Sequence, residues 1–428
     1  MSSSGTTASS NRGRRKRVLM LIENGPYSED GRVRCEANSL CAAGYQVTVI
    51  GPWSKGEGWY EKFGQVVTYQ YPPPPSANGL VGYVVEYAYA LTLMGLLSVW
   101  VALRRGFDVV HAHNPPDFLV VIAGFWRLFG KQFIFDQHDL SPDMYLSRFS
   151  QPGNKTLHRV LLMFERLSCR LADHVIATNE SSKRIQMERS GIPESRITIV
   201  RNGPEPWHMQ RFEPDNTLRG GASILIGYVG IMGQQDGVDY LLRALHILQH
   251  ELNESDWRCL LIGKGREVDV LQREAVKLEI ADKVQFTGWV DYEKVPSYLA
   301  ATDICVVPDP SNEYNDRSTI VKLMEYMAQA KPVVAFDLPE HRVTAGDTAL
   351  YAQPNDERDF AHQLQRLVKD ADLRRELGEA GRRRVIESFT WERQEANLLS
   401  AYRSLDGDRE SSLDEEAPEH RELATAES

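Results

Sequence analysis

Short runs of Val, Ile, Leu and other apolar residues alternate with longer helical patterns along most of the chain, and this alternation restricts the fold more than any other feature. A run that is apolar throughout suits a strand buried on both faces, as parallel sheets are when helices cover them. In the first half the predicted strands are Val18 to Ile22, Gln46 to Ile50, Val109 to Ala112, Gln132 to Asp136, His174 to Ala177 and Ile197 to Val200. A second set comprises Ile224 to Val229, Trp257 to Ile262, Val284 to Phe286, Ile304 to Val307 and Pro332 to Ala335, with helical patterns such as Tyr240 to Leu252 and Leu323 to Ala330 between strands. The stretch from Pro204 to Gly221 carries Pro, Gly and polar residues with no sustained period, which marks a linker. The expected fold is therefore α/β, with two doubly wound Rossmann-like domains at 17–205 and 222–388 joined by 206–221. Such a pair places a cleft at the carboxyl ends of both sheets, where ligands bind.

At 428 residues the chain can supply two cores, and 42% hydrophobic with 25% charged residues is a globular composition. Much of the excess acid behind the net charge of −10 sits in 405–428, an expected disordered tail. The polar arm 1–16 is likewise expected to be disordered, and its basic run from Arg12 to Arg17 reads as solvated, with no nucleic-acid partner. Five scattered cysteines without a C-x-x-C pair fit reduced thiols in a cytoplasmic protein and no zinc site. Leu80 to Leu103 is long and apolar but interrupted by Gly82, Glu86 and Gly95. It reads as a helix buried in a domain face, the alternative being an interfacial helix on lipid with Arg104 and Arg105 at its edge.

The stretch from Asp303 to Phe336 carries the most chemistry. A strand runs to Pro308, a polar loop follows, and a helix opens near Ser318, where Ser318 or Thr319 would cap it and leave free N–H groups for an anion. Two turns in, Glu325 can accept hydrogen bonds from the two hydroxyls of a ribose. His111 and His113 fall on one side of their strand by the period of two, and Asp136, His138 and Asp139 end the next strand with groups able to gather acceptor hydroxyls.

These residues resemble the glycogen-synthase-like and phosphatidylinositol-mannosyltransferase-like group of retaining GT-B glycosyltransferases, of the family 4 type. Lys322, Glu325, Tyr326, Met327, Ala328, Pro332 and Val333 match K-x-x-E-Y-M-A-x-G-x-P-V-V, with Ala330 in place of Gly. Asp30, Arg32, Val33, Glu36 and Ala37 resemble the first helix opening, Asp108 to His113 the D-V-V-H-x-H segment, Arg201-Asn202-Gly203 the V-x-N-G segment, and Gly227 to Gly230 the Y-x-G strand end. Phe389 to Trp391 with Tyr402 resembles the terminal helix, 389–404, that crosses back to the first domain.

The resemblance implies a nucleotide-sugar donor, a glycan or lipid-linked acceptor, no bound metal or cofactor, and front-face displacement. It assigns the ribose to Glu325, the transferred sugar to His113, and donor contacts to Gly230 and Gly288; Arg32 joins Asp136, His138 and Asp139 on the acceptor side. Two positions depart from the pattern. Arg317 stands where the first of two paired glutamates is usual, and Ile231 and Asp236 replace a basic pair on the diphosphate. Arg317, Lys322 and Lys264 are the substitute cations expected to meet the leaving diphosphate. Cell-surface polysaccharide or glycolipid synthesis, with Leu80 to Leu103 and Trp126 to Phe129 meeting the inner face of a membrane, is the expected setting. An epimerase of the same fold and a degenerate nucleotide-sugar-binding protein are the alternatives.

Overall fold

The computed structural model describes residues 16–73, 79–148 and 154–405; the arm up to residue 15 and the tail from residue 406 lie outside them. The first sheet holds β1 (Arg17–Leu21), β2 (Gln46–Pro52), β3 (Tyr60–Phe63), β4 (Val66–Tyr71), β5 (Val109–His113), β6 (Gln132–Gln137), β7 (His174–Ala177) and β8 (Ile197–Ile199). Their order is β3-β4-β2-β1-β5-β6-β7-β8, with all pairs parallel except β3 on β4. The second holds β9 (Ile224–Val229), β10 (Trp257–Ile262), β11 (Val284–Gly288), β12 (Ile304–Val307), β13 (Val333–Phe336) and β14 (Ala349–Ala352), in the order β11-β10-β9-β12-β13-β14. Strand order reverses between β1 and β5 and between β9 and β12, so each sheet has a switch point at the cleft. Every predicted strand forms, within two residues at each end, while β3, β4 and β14 were not anticipated.

Helices cover both faces of the first sheet. On one, Gly79–Arg104, Val120–Arg127 and Lys155–Leu171 pack through Met94, Val101, Trp126 and Cys169 onto Leu21, Val110 and Phe135. On the other, Gly31–Ala42 lies beside Trp391–Ser404, whose Leu398, Ala401 and Tyr402 complete the core around Val18, Met20 and Leu40. The Gly31–Ala42 helix starts where Asp30 accepts a 2.9 Å hydrogen bond from the Val33 N–H. The Trp391–Ser404 helix is the crossing helix, and the Trp391 indole N–H donates to Ser39 at 2.8 Å.

The Gly79–Arg104 helix departs from the burial expected of it. Only 22% of its apolar window is buried, because among the described residues nothing covers the helix layer on its outer side. Ala90, Met94, Ser98 and Val101 form the inward stripe, and Leu96, Val99, Trp100 and Leu103 are exposed.

Candidate active site at the inter-domain cleft

On the first-domain side, β5 and β6 run in parallel register with His113 opposite Asp136. The predicted sharing of a face holds: the His111 and His113 rings stack at 4.1 Å. Beneath them Arg32 donates to both Asp136 oxygens at 2.9 and 3.1 Å, and lies 3.0 Å from Glu36 Oε1. His138 Nε2 is 2.9 Å from Asp136 Oδ2, and His113 Nδ1 is 3.3 Å from the same oxygen. Tyr402 of the crossing helix meets His111 Nδ1 at 2.9 Å.

Burial and then the neighbouring Asp136 push the Glu36 carboxyl well above its usual range. Burial opposes the charge on Asp136 too, but Arg32 and the histidines outweigh it and hold this carboxyl well below its ordinary value. Burial, with His111 adjoining, holds His113 well below the usual imidazole value, so it faces the site neutral. Arg32 and Asp136 then form a guanidinium–carboxylate pair beside a neutral Glu36 and a neutral His113.

Asp136 and Arg32 thus form the buried floor of the site, which corrects their expected place on its acceptor surface: Asp136 has no exposed area, and the Arg32 fork is used on protein groups. His138 and Asp139 remain at the cleft edge. Glu36, His111, His113 and Asp136 present ligand atoms within 4.8 Å of one another, a set of metal-binding type. Arg32 already lies against both Glu36 and Asp136, so the positive charge that an ion would supply there is met by the protein.

On the second-domain side the carboxyl-end helix is Val321–Ala328, with Ile320 at its N-cap and no side-chain cap. This corrects the expected opening at Ser318 and puts Glu325 one turn inside rather than two. Ser318 Oγ instead donates to the Tyr314 carbonyl at 2.8 Å, and Thr319 Oγ1 accepts from Asn179 Nδ2 of the first domain at 2.9 Å. The loop is therefore pinned across the cleft before the helix can begin. Glu325, buried, accepts from Tyr292 Oη at 2.5 Å and lies 3.2 Å from His208 Nδ1. Neither partner was anticipated. Trp207 and His208, contiguous aromatic rings inside a linker, are the signal that the segment is packed: Trp207 lies 5.5 Å from the Tyr292 ring.

Lys322 Nζ lies 3.1 Å from Asp309 Oδ1, 3.8 Å from Asp236 Oδ1 and over the Tyr228 ring at 4.7 Å. Burial disfavours its charge, but Asp309 and then Asp236 outweigh that and raise its pKa. Lys264 lies 4.3 Å over the exposed Trp289 indole. Gly230 and Gly263 approach so closely that a Cβ on Gly263 (φ +137°) would stand 2.0 Å from the Gly230 carbonyl oxygen, and Gly288 accepts from the Gly263 N–H at 3.1 Å. These glycines bring three strand ends together at the cleft, with the Gly230 N–H donated to the Ile262 carbonyl at 3.0 Å.

Arg317, expected at the diphosphate, donates instead to Asp143 of the first domain at 3.0 Å, because the loop carrying it is tied over the cleft by the Tyr314 to Asp139 hydrogen bond of 3.1 Å. Ile231 is exposed and makes no charge contact. A cavity of about 110 Å³ is lined by Glu23, Asn24, Tyr87, Pro116, Asp139 and neighbours. Burial, reinforced by Glu86, raises the Glu23 carboxyl to about 7.

Residues 33–206 match the family described as Glycosyltransferase Family 4, and 223–370 that described as Glycosyl transferases group 1. The chain is 28% identical to alpha-maltose-1-phosphate synthase of Mycolicibacterium smegmatis over 74% of this chain and 84% of that protein. Its fold matches sucrose-phosphate synthase from Thermosynechococcus elongatus (TM-score 0.75, 21% identity, 92% of this chain and 100% of that one). It also matches Anabaena HepE in complex with UDP-glucose (TM-score 0.63, 15% identity, 91% and 99%). With matches on both sides of the linker, two parallel-sheet domains and the motif residues gathered at their cleft, the chain belongs to the GT-B glycosyltransferases of the family 4 type.

Proposed function

We propose that the chain transfers a sugar, with retention, from a nucleotide-sugar to a hydroxyl of a glycan or lipid-linked acceptor in cell-surface polysaccharide or glycolipid synthesis. The observation that carries this is the opposition, across the cleft, of neutral His113 on its Arg32–Asp136 floor and the Glu325, Lys322 and glycine cluster of the second domain. Glu325 takes the ribose by exchanging its Tyr292 and His208 contacts for sugar hydroxyls; the Gly230 and Gly263 strand ends and Lys322 meet the diphosphate; His113 fixes a hydroxyl of the transferred sugar. The Asp136 carboxylate is held by Arg32, so it is a poor nucleophile, which favours front-face displacement with the leaving phosphate taking the acceptor proton. HepE, of the same fold, is described with UDP-glucose bound, and a uridine donor is the first to try.

Asp309 and Asp236 beside Lys322 favour a second reading, a protein that binds the donor and has lost transfer. Thermal shift against a panel of nucleotide-sugars, followed by donor hydrolysis with each hit, separates the two. A stabilising donor that is turned over supports the transferase, a stabilising donor left intact supports the binding protein, and no hit across uridine, guanosine and adenosine donors defeats both.

A further inference from the structure

Three helices form the outer layer on one side of the first sheet, and each turns apolar residues to solvent. Leu103 on Gly79–Arg104 is 80% exposed, Leu128 and Phe129 at the end of Val120–Arg127 are 84% and 61% exposed, and Met163 on Lys155–Leu171 is 52% exposed. The helices adjoin, since Phe118, just ahead of the second, meets Tyr87 of the first edge-to-face at 4.6 Å and Phe164 of the third edge-to-face at 6.4 Å. A soluble monomer rarely leaves so much contiguous apolar surface uncovered.

Charge selects the occupant. The chain as a whole carries −10, yet among the described residues these three helices hold no fully exposed Asp or Glu: Glu86 is half-buried and Glu165 buried. Arg104, Arg105, Arg159 and Arg166 are exposed on them, and the Arg104 guanidinium lies 4.5 Å over the Trp100 ring, an aromatic–cation pair of the kind that sits at lipid headgroups. A second copy would set these arginines against their like, whereas anionic headgroups answer them. Val84–Arg104 of the first helix has the mean hydropathy of a spanning segment, 1.6, but its Ala90, Met94 and Val101 stripe is locked onto the sheet, so it lies along a surface rather than through it.

We infer that this layer is a docking face for an anionic lipid bilayer, with the helices in the interfacial plane. The small cavity beside Tyr87 of the same helix then opens near the lipid, a placement that suits a lipid-borne acceptor; this clause rests on the transferase reading, while the docking face does not.

Flotation of the full chain with phosphatidylcholine vesicles, with and without phosphatidylglycerol, tests the assignment. The protein is expected to float with the anionic vesicles and to be released by molar salt, which shortens the screening length to about 3 Å. Leu103→Asp with Phe129→Asp should weaken binding by at least about tenfold. Arg104→Ala with Arg105→Ala should weaken it by about fivefold per arginine. In both variants melting temperature and nucleoside-diphosphate affinity should stay unchanged, which separates loss of docking from misfolding and from failure of the transferase reading. No flotation with anionic vesicles at low salt overturns the inference. So does undiminished binding by both folded variants, or a dimer that the Asp variant dissolves without any lipid binding.

Discussion

Arg317 of the second domain and Asp143 of the first are joined by a 3.0 Å ion pair across the cleft, and the same Asp143 carboxylate also receives Arg189 at 2.7 Å. Arg317 is one-third exposed, so the bridge is modest, about 1 kcal/mol at most. Arg317→Ala is expected to raise the population of opened molecules by up to about fivefold, seen as a larger radius of gyration in solution scattering without added nucleotide. Identical scattering from variant and parent removes the bridge from the closing machinery.

Asp236 bears on the affinity for nucleoside diphosphate. Its carboxylate stands 3.8 Å from Lys322 in the place where the family commonly has a cation, so it opposes the anion that Lys322 attracts. Asp236→Asn is predicted to tighten nucleoside-diphosphate binding about tenfold, whereas Glu325→Ala should weaken it about tenfold or more through the lost charged acceptor. Calorimetric titration of both decides: equal affinities in the two variants would place the nucleotide elsewhere.

His113 serves the transferred sugar in this reading, while Asp136 keeps Arg32 and His138 when the ring is removed. His113→Ala should slow transfer about 100-fold and leave nucleoside-diphosphate affinity nearly intact. A parallel fall in melting temperature and affinity would instead make His113 part of the scaffold alone.

Ala330 follows the Val321–Ala328 helix at φ +54°, the left-handed region, at the position where the family has Gly. Ala330→Gly should stabilise the second domain by about 1 kcal/mol, or about 2–4 °C in melting temperature. An unchanged or lowered melting point refutes the assignment of strain to this residue.

Glu23 governs part of the pH dependence. Its carboxyl binds a proton more tightly folded, at about 7, than at its ordinary 4.5. The stability it contributes is therefore present below 4.5 and lost as pH rises through about 7. Glu23→Gln should flatten the decline in melting temperature over that interval, and a slope equal to the parent's would show that Glu23 ionises freely.

The strands were legible because burial on both faces writes itself as unbroken Val, Ile and Leu, as in Ile304–Val307. Tyr60–Phe63 was not, since an exposed edge strand imposes no such pattern, and Ala349–Ala352 reads Ala-Leu-Tyr-Ala with no β-branched residue to mark it. His111, His113 and Glu325 were found because strand period and motif place them. The Tyr292 and His208 partners of Glu325 come from segments distant in sequence, and the pinning of Arg317 by Asp143 depends on how the domains meet. Of the two readings of Leu80 to Leu103, the buried helix overstated its cover, because helical apolarity states how much surface seeks cover and not how much receives it.

The crossing helix has a consequence for biosynthesis. Leu398 and Tyr402 finish the core of a domain whose last strand ends at Ile199, so roughly 200 residues must leave the ribosome before that core can close. At roughly 5–20 residues per second this delay is about 10–40 s. Until then the flank of β1 awaiting Leu398 and Tyr402 stands open to water and to other nascent chains, and it is there that a chaperone has something to hold.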